Sequence, residues 1–236
     1  HRRGNIFGVV SRNTFPPYDN VMPTLANNYL TFNGSNQYVI PLSSGISGTP
    51  DEFDSRYNKT WDALVYLASD WDTHTVNSGS EVIYSQGLGY DVQLNVSIMG
   101  NNTPSYNRKI RIYCSDYTTC PFSTYQQCIG GGYYNEYIGI STTVLSAGTW
   151  YHICTVLDNQ VMYLYINGIL DSTYPWTARI LTKGDETNLM TNSNTWGPNF
   201  FKGRLSLMRM YNRSLSSVEV YQNRSEEHTS ELQSRG

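Results

Sequence analysis

Short apolar stretches alternate residue by residue with polar positions along much of the chain after residue 28. In residues 90–98, Val92, Leu94, Val96 and Ile98 alternate with polar side chains, among them Asn95. A period of two places one set of side chains inside a sheet and the other set in water. Further strands are predicted in residues 109–114, 137–143, 149–157, 161–166, 169–174 and 203–211. The pattern predicts an all-β domain built from antiparallel strands.

Local motifs mark one tight turn and the one predicted helix. Asn167 and Gly168 separate two predicted strands, and both residues tolerate the positive φ of a type I′ hairpin turn. Ser216 is followed three residues later by Glu219, which is the spacing of a capping box. This motif predicts one short C-terminal helix that runs through Tyr221.

The patterns divide the chain into three segments. Residues 1–28 are rich in Pro, Asn and small residues without a sustained period, and we interpret them as a lead-in segment. Residues 29–223 form a single predicted domain, which suits a chain of 236 residues. Residues 224–236 differ abruptly from the rest, and RSEEHTSELQS can be encoded by a common sequencing-library adapter. We therefore interpret this tail as a non-native, adapter-derived extension.

Charge and hydropathy argue against two classes of partner. The net charge is −3 and only 15% of the residues are charged, so the chain lacks the basic surface with which proteins bind phosphates. No apolar run approaches the roughly 18 residues that a membrane-spanning helix needs. We therefore expect neither nucleic-acid binding nor a membrane span in this chain.

Cysteines and glycosylation motifs favour an extracellular or cell-surface location. The four cysteines are even in number and lack the CxxC spacing of zinc and redox sites, so disulfides are the simpler interpretation. Asn95 falls on a predicted wet face, where a glycan has room. Asn-x-Ser/Thr sequons occur at Asn33, Asn58, Asn95, Asn101 and Asn212.

The positions of the cysteines favour one disulfide pairing. Cys114 and Cys154 lie on predicted inward strand faces, whereas Cys120 and Cys128 lie in the intervening loop. We expect Cys114–Cys154 to tie two strands and Cys120–Cys128 to close a small loop, each contributing about 2 to 4 kcal/mol. Four cysteines allow three connectivities, and the other two stay open at this point.

Three stretches carry a resemblance to a known family. They are YLTFNGSNQYVIP at residues 29–41, GTWYHICTVLDNQVMYLYINGILDS at 148–172 and FFKGRLSLMRMYNRSLSSVEVYQN at 200–223. In this order and at this separation, they resemble the laminin-G-like or concanavalin A-like jelly-roll domains, including their pentraxin-related branch. The resemblance implies a sandwich of two antiparallel sheets in an extracellular lectin, adhesion or matrix protein, and several members of the family bind Ca²⁺.

The strand predicted at residues 149–157 is apolar on both faces. Trp150, His152 and Cys154 share one face, while Tyr151 and Ile153 share the other. Such a strand is covered on both sides, so we interpret His152 as a structural histidine rather than a catalytic base. We interpret the large indole rings as core or loop anchors, namely Trp61, Trp150, Trp176 and Trp196.

The sequence lacks the side-chain sets that the common hydrolytic mechanisms need. Glycosidases on this kind of fold carry two or three carboxylates on one strand, and no such series occurs here. There is also no Gly-x-Ser-x-Gly turn and no His-Glu-x-x-His helix. We therefore expect a protein that is not an enzyme.

Two acidic loops are candidates for Ca²⁺, although the sequence requires no cofactor. Asp51, Glu52 and Asp54 lie in one loop, and Asp70 and Asp72 lie in another. Carboxylate oxygens are the ligands that Ca²⁺ prefers. Solvated acidic loops without a metal are the alternative interpretation.

Sugar binding needs an aromatic ring beside polar groups, and two places offer this. Trp71 lies between Asp70 and Asp72, and Tyr133 and Tyr134 follow a run of three glycines. We predict a binding module for glycan or extracellular protein that uses one of these places. The alternative is a structural glycoprotein whose self-association builds a surface coat, fibre or matrix.

Overall fold

Two antiparallel β-sheets pack face to face in the computed structural model of the chain. The structure describes residues 24–26, 29–39, 58–71, 80–86, 94–100, 104–116, 135–176, 187–191, 199–211 and 213–233. The prediction of an all-β sandwich with one C-terminal helix is confirmed.

Twelve strands and one α-helix make up the regular structure of the described residues. The strands are β1 (Thr24–Ala26), β2 (Tyr29–Asn33), β3 (Lys59–Leu67), β4 (Ser80–Gln86), β5 (Leu94–Met99), β6 (Lys109–Asp116), β7 (Asn135–Val144), β8 (Trp150–Asp158), β9 (Val161–Ile166), β10 (Ile169–Pro175), β11 (Thr187–Leu189) and β12 (Lys202–Tyr211). The helix, α1, spans Ser217–Gln233, and a one-turn 3-10 helix spans Pro104–Tyr106. None of the helices in these ranges combines the length and the apolar character that a bilayer crossing needs.

One sheet has seven strands and the other has five. The seven-stranded sheet has the order β1-β2-β12-β3-β8-β9-β10, and the five-stranded sheet has the order β11-β4-β5-β6-β7. Strand β1 lies inside the segment that we interpreted as a lead-in, so the seven-stranded sheet begins a few residues earlier than the sequence pattern predicts.

The apolar sets of both sheets meet in one core between them. Leu94, Val96 and Ile98 of β5 all face this core, as the alternating pattern predicts. Val92 lies outside the described residues. The opposite face of β5 is not wet, however, because Asn95 is only 3% exposed and Ser97 is fully buried. The alternation therefore reports the polarity of the two faces correctly, whereas the prediction that Asn95 faces solvent is wrong.

Strand β8 is covered on both faces, as predicted. Tyr151 and Ile153 pack into the core between the sheets. Cys154 and Val156 pack on the outer face of the seven-stranded sheet, where they meet Val220 of helix α1. The helix therefore adds a third layer over part of that sheet.

The predicted hairpin turn and helix cap are both confirmed. Asn167 and Gly168 have φ values of 54° and 77°, which suit a two-residue turn between β9 and β10. The Ser216 N–H donates to the Glu219 carboxylate at 2.9 Å, and the Glu219 N–H donates to the Ser216 hydroxyl at 3.3 Å. The helix is longer than predicted, because it continues through Gln233 into the tail.

Close contacts with the backbone at Gly203 and at Gly139 hold neighbouring strands together. Gly203 of β12 lies against β3, and a Cβ built there would lie 2.1 Å from the Tyr66 carbonyl oxygen. Tyr174 of β10 crosses to the other sheet, where its ring covers Gly139 and its hydroxyl bonds the backbone of Ile140. These contacts join β12 tightly to β3 and close the edge of the sandwich between β10 and β7.

Candidate functional site

The predicted sugar platform around Trp71 is not at the surface. Trp71 is 1% exposed and packs in the core between the sheets, while its indole N–H reaches Asn107 Oδ1 at 3.4 Å. The structure thus contradicts the role of Trp71 as an exposed ring for a ligand. Asp70 beside it is exposed and forms an ion pair with Lys202, with 2.5 Å between Oδ2 and Nζ. Polar neighbours made this segment resemble a surface loop, although its ring turns inward.

The other predicted ligand and calcium residues stay predictions. Tyr133, Tyr134, Asp51, Glu52, Asp54 and Asp72 all lie outside the described residues. Within the ranges that the structure describes, no group of three His, Cys, Asp or Glu side chains is placed to hold a metal ion.

The sequons differ in how far they are accessible. Asn33 and Asn58 are exposed, and both side chains make hydrogen bonds at strand ends. The burial of Asn95 leaves no room for a glycan on the folded sheet, which contradicts that predicted glycosylation site. Asn101 and Asn212 lie outside the described residues.

The predicted Cys114–Cys154 disulfide is also wrong. Cys114 lies in the core between the sheets, whereas Cys154 carries a free thiol on the outer face of the seven-stranded sheet. Cys114 points into the core from β6 of the five-stranded sheet, whereas Cys154 points away from the core, because the face of β8 that we took as inward is the one under helix α1. Cys120 and Cys128 lie outside the described residues.

A buried polar cluster lies beneath helix α1. Asp62 of β3 is fully buried, and its two carboxylate oxygens contact His152 Nε2 at 2.5 Å and Arg209 Nε at 3.1 Å. Asn223 of the helix donates to the same carboxylate at 2.8 Å. His152 is 2% exposed, so its interpretation as a structural histidine agrees with its position. We call Asp62, His152, Arg209 and Asn223 the buried cluster.

Burial also raises the pKa of the Cys154 thiol, which lies beside this cluster. Cys154 pairs with Asp62 across β8 and β3. Burial and the nearby Asp62 carboxylate raise the pKa of the Cys154 thiol, and Arg209 offsets this only in part. A thiol that stays protonated is a poor nucleophile. The group therefore lacks the low pKa and the access that a reactive cysteine needs.

Three aromatic rings and one arginine meet further along the same outer face. Tyr29 of β2, Arg204 of β12, Tyr66 of β3 and Trp150 of β8 come from four neighbouring strands. All four side chains are half-buried, so each keeps part of its surface in water. We call these four residues the aromatic cluster.

The geometry of the aromatic cluster is compact. The Arg204 guanidinium carbon lies 4.8 Å from the centre of the Tyr29 ring and 4.7 Å from that of Tyr66. The Trp150 ring lies 5.8 Å from Tyr29 and 5.5 Å from Tyr66, tilted against both. Such spacings are typical of cation–π and aromatic pair contacts. The cluster therefore presents apolar ring faces and guanidinium N–H donors at one place on the surface.

Sequence reasoning missed this cluster because alternation does not say which face of a strand is covered. Trp150 was interpreted as a core or loop anchor, but it lies half-buried on the outer face. Tyr66 alternates with the core residues Val65 and Leu67, and this alternation was its only sequence signal. Of the predicted ligand residues that the structure describes, Asp70 lies close to the cluster, since its partner Lys202 lies two residues before Arg204 on β12.

Comparisons with known proteins agree with the fold. A family model described as the concanavalin A-like lectin/glucanases superfamily matches residues 33–221. A search of curated proteins gives no match.

Several solved structures are similar to the chain, all at low sequence identity. The botulinum neurotoxin serotype D ligand-binding domain in complex with N-acetylneuraminic acid aligns with a TM-score of 0.57 and 13% identity, over 88% of this chain and 44% of that one. Domain 4 of AbnA, an extracellular GH43 arabinanase from Geobacillus stearothermophilus in complex with arabinotriose, aligns with a TM-score of 0.52 and 14% identity, over 82% and 75%. The chain spans less than half the length of the toxin domains. At these identities the likeness shows the fold alone.

Proposed function

The chain belongs to the concanavalin A-like lectin/glucanase superfamily, and on this premise we propose that it is a non-catalytic, extracellular glycan-binding module. The observation that carries the proposal is the aromatic cluster, half-exposed on the seven-stranded sheet. Sugars present faces of C–H groups that pack on aromatic rings, and they present hydroxyls that accept hydrogen bonds. The cluster offers a partner for each, with its rings and the guanidinium of Arg204.

Two similar structures support a carbohydrate ligand. The toxin domain is in complex with N-acetylneuraminic acid, and the arabinanase domain is in complex with arabinotriose. Both proteins share the sandwich of this chain while differing from it in sequence. A sugar ligand is therefore compatible with this architecture, and an extracellular protein is the alternative ligand.

Two of the strand carboxylates, those of Asp62 in β3 and Glu81 in β4, support a role without catalysis. Asp62 and Glu81 are both fully buried. The Asp62 carboxylate contacts the other members of the buried cluster. The Glu81 carboxylate accepts a hydrogen bond from the backbone N–H of Lys202 at 2.7 Å. A glycosidase needs two carboxyl groups about 5 to 9.5 Å apart on either side of the bond that it cleaves. These two carboxylates face into the protein, where no sugar reaches them.

The exposed sequons support the proposed location outside the cell. Asn33 and Asn58 lie at the surface, where an attached glycan displaces no core side chain. The buried free thiol of Cys154 needs no disulfide partner in such a compartment, because it is shielded from oxidants.

A glycan array with the full chain tests the proposal, and Trp150→Ala is the informative variant. We expect the wild type to bind a defined set of saccharides. The variant should bind them at least about tenfold more weakly, because truncating a ring at the centre of a contact commonly costs more than ~1 kcal/mol of binding free energy. Tyr106→Ala is the matched control, since Tyr106 is an exposed ring of the 3-10 helix. Circular dichroism checks that both variants fold.

The array is also run with EDTA, which tests the proposed calcium loops. Binding that disappears with EDTA and returns with Ca²⁺ supports them, whereas binding that is unchanged removes calcium from the proposal. A wild-type chain that binds no saccharide contradicts the glycan-binding function.

A structural subunit is the second candidate, and one surface favours it. Ile138 of β7 and Ile169 and Leu170 of β10 are exposed at the two neighbouring sheet edges. Exposed apolar side chains along a sheet edge are typical of surfaces that pair with another chain. Light scattering across a range of protein concentrations tests this role. A chain that stays monomeric at high concentration contradicts it.

A further inference from the structure

Arg204 is a cation that no carboxylate of the described residues neutralises. On the same outer face, Lys202 pairs with Asp70 and Arg209 pairs with Asp62. Arg204 lies between these two cations on β12, yet it makes no ion pair with any residue in the described ranges. Among the residues that the structure describes, its charge therefore has no carboxylate partner.

The rings of Tyr29 and Tyr66 hold the Arg204 guanidinium in place without forming hydrogen bonds to its N–H groups. Tyr29 and Tyr66 lie 4.8 and 4.7 Å from its central carbon. Contacts with ring faces use the π electrons of the ring and not the N–H groups of the cation. No acceptor within the described part of the chain engages the planar fork of N–H donors, which matches the paired oxygens of a carboxylate or a sulfate.

The charges around the aromatic cluster favour an anion. The positive charge of Lys202 is balanced by Asp70, so among the described residues of this surface the unbalanced charge is that of Arg204. Half-burial of the cluster weakens the screening of that charge by water. Resting on the proposed glycan-binding function, we propose that the ligand is an acidic saccharide. Its anionic oxygens accept hydrogen bonds from Arg204 while its ring carbons pack on Trp150.

Matched pairs of acidic and neutral sugars test this specificity and show which anionic group the protein recognises. The probes are sialyllactose against lactose, a hyaluronan tetrasaccharide against chitotetraose, and 6′-sulfolactose against lactose. We expect the wild-type full chain to prefer the acidic member of at least one pair. The preferred pair identifies the anion as sialate, hexuronate or sulfate ester. Raising the salt concentration should weaken that preference.

Two substitutions of Arg204 and one control variant test whether this side chain causes the preference for acidic saccharides. Arg204→Gln should lower the affinity for the acidic saccharide by about tenfold or more and that for its neutral partner by much less, because only the acidic sugar loses a hydrogen bond between two charged groups. Arg204→Lys should retain part of the affinity. Arg224→Gln removes the same charge on helix α1 and should change neither sugar.

The outcomes distinguish this inference from the function on which it rests. Equal binding of acidic and neutral sugars overturns the inference, as does an acidic preference that survives Arg204→Gln. If Trp150→Ala still weakens sugar binding at least about tenfold in either case, the glycan-binding function stands. If the wild type binds none of the probes and no other saccharide, both are overturned.

Discussion

Asp62 is a residue whose loss should lower the stability of the fold strongly. It is fully buried, and it contacts His152, Arg209 and Asn223 on the outer face of the seven-stranded sheet. Removing one partner of a buried charged set leaves the others without compensation, which typically costs about 3 to 5 kcal/mol. We expect Asp62→Ala to lower the free energy of unfolding by this order, measured by urea denaturation.

The surface ion pair of Asp70 provides the matched control for that measurement. Asp70 is 54% exposed where it meets Lys202, and pairs of this kind contribute at most about 1 kcal/mol. Asp70→Ala should therefore leave the urea midpoint nearly unchanged. Equal midpoints for the two alanine variants would show that the buried cluster adds no net stability.

Single residues also show where sequence reasoning reaches its limit. Alternation assigned Val96 and Asn95 to opposite faces correctly, but it could not show that the face of Asn95 is covered as well. Trp71 and Trp150 exchange their expected roles for the same reason: one ring is in the core and the other is half-buried at the surface. Exposure depends on which element covers a face, and that information lies elsewhere in the chain.

At the scale of elements, helix α1 depends on its N-terminal cap. Glu219 accepts hydrogen bonds from Arg213 at 2.6 Å and from the Ser216 N–H at 2.9 Å. These bonds, that from Arg213 above all, lower the pKa of Glu219 from 4.5 to about 2. A folded-state pKa below the unfolded value means that the carboxylate stabilises the fold above pH 4.5 and that this stabilisation is lost as the pH falls toward 2.

Acid unfolding of Glu219→Gln tests this pH dependence. We expect the wild type to lose more stability than the variant between pH 4.5 and pH 2, because only the wild type has this carboxylate to protonate. The difference should stay below about 1 kcal/mol, since the pair with Arg213 is partly exposed and screened by water. Parallel stability curves for the two proteins would contradict the assignment of the pKa shift to the cap.

The strands and the cap were predictable because their signals are local. The Asn167–Gly168 turn and the Ser216–Glu219 box each lie within four residues of sequence, and both form as expected. The docking of α1 on the sheet depends on Val220 meeting Cys154 and Val156, which are more than sixty positions away along the chain. No local pattern encodes that contact, and the Cys114–Cys154 disulfide was wrongly predicted as a result.

For the molecule as a whole, helix α1 covers part of the outer face of the seven-stranded sheet. Cys154 lies beneath it with a raised thiol pKa. We expect Cys154 in the native full chain to resist a thiol-alkylating reagent, and a chain that ends at residue 216 to react readily. Peptide mass analysis locates the label, and Cys154→Ser in the shortened chain is the control that should lose it.

A second variant keeps this test informative if the shortened chain fails to fold. Val220→Ala leaves the helix in the chain but removes part of its contact with Cys154 and Val156. It should label at an intermediate rate while the β-sheet signal in circular dichroism is retained. Rapid labelling of the native wild type would contradict the position of the helix over the sheet.

Gly203 has a consequence for how this surface can change over evolution or by design. Because any larger residue at position 203 collides with the backbone of Tyr66, the spacing of the two strands that carry Arg204 and Tyr66 is not adjustable. New ligand preferences must then arise by exchanging side chains on an unchanged frame. A library that varies positions 29, 66, 150 and 204 while holding position 203 constant is thus the economical way to redirect binding.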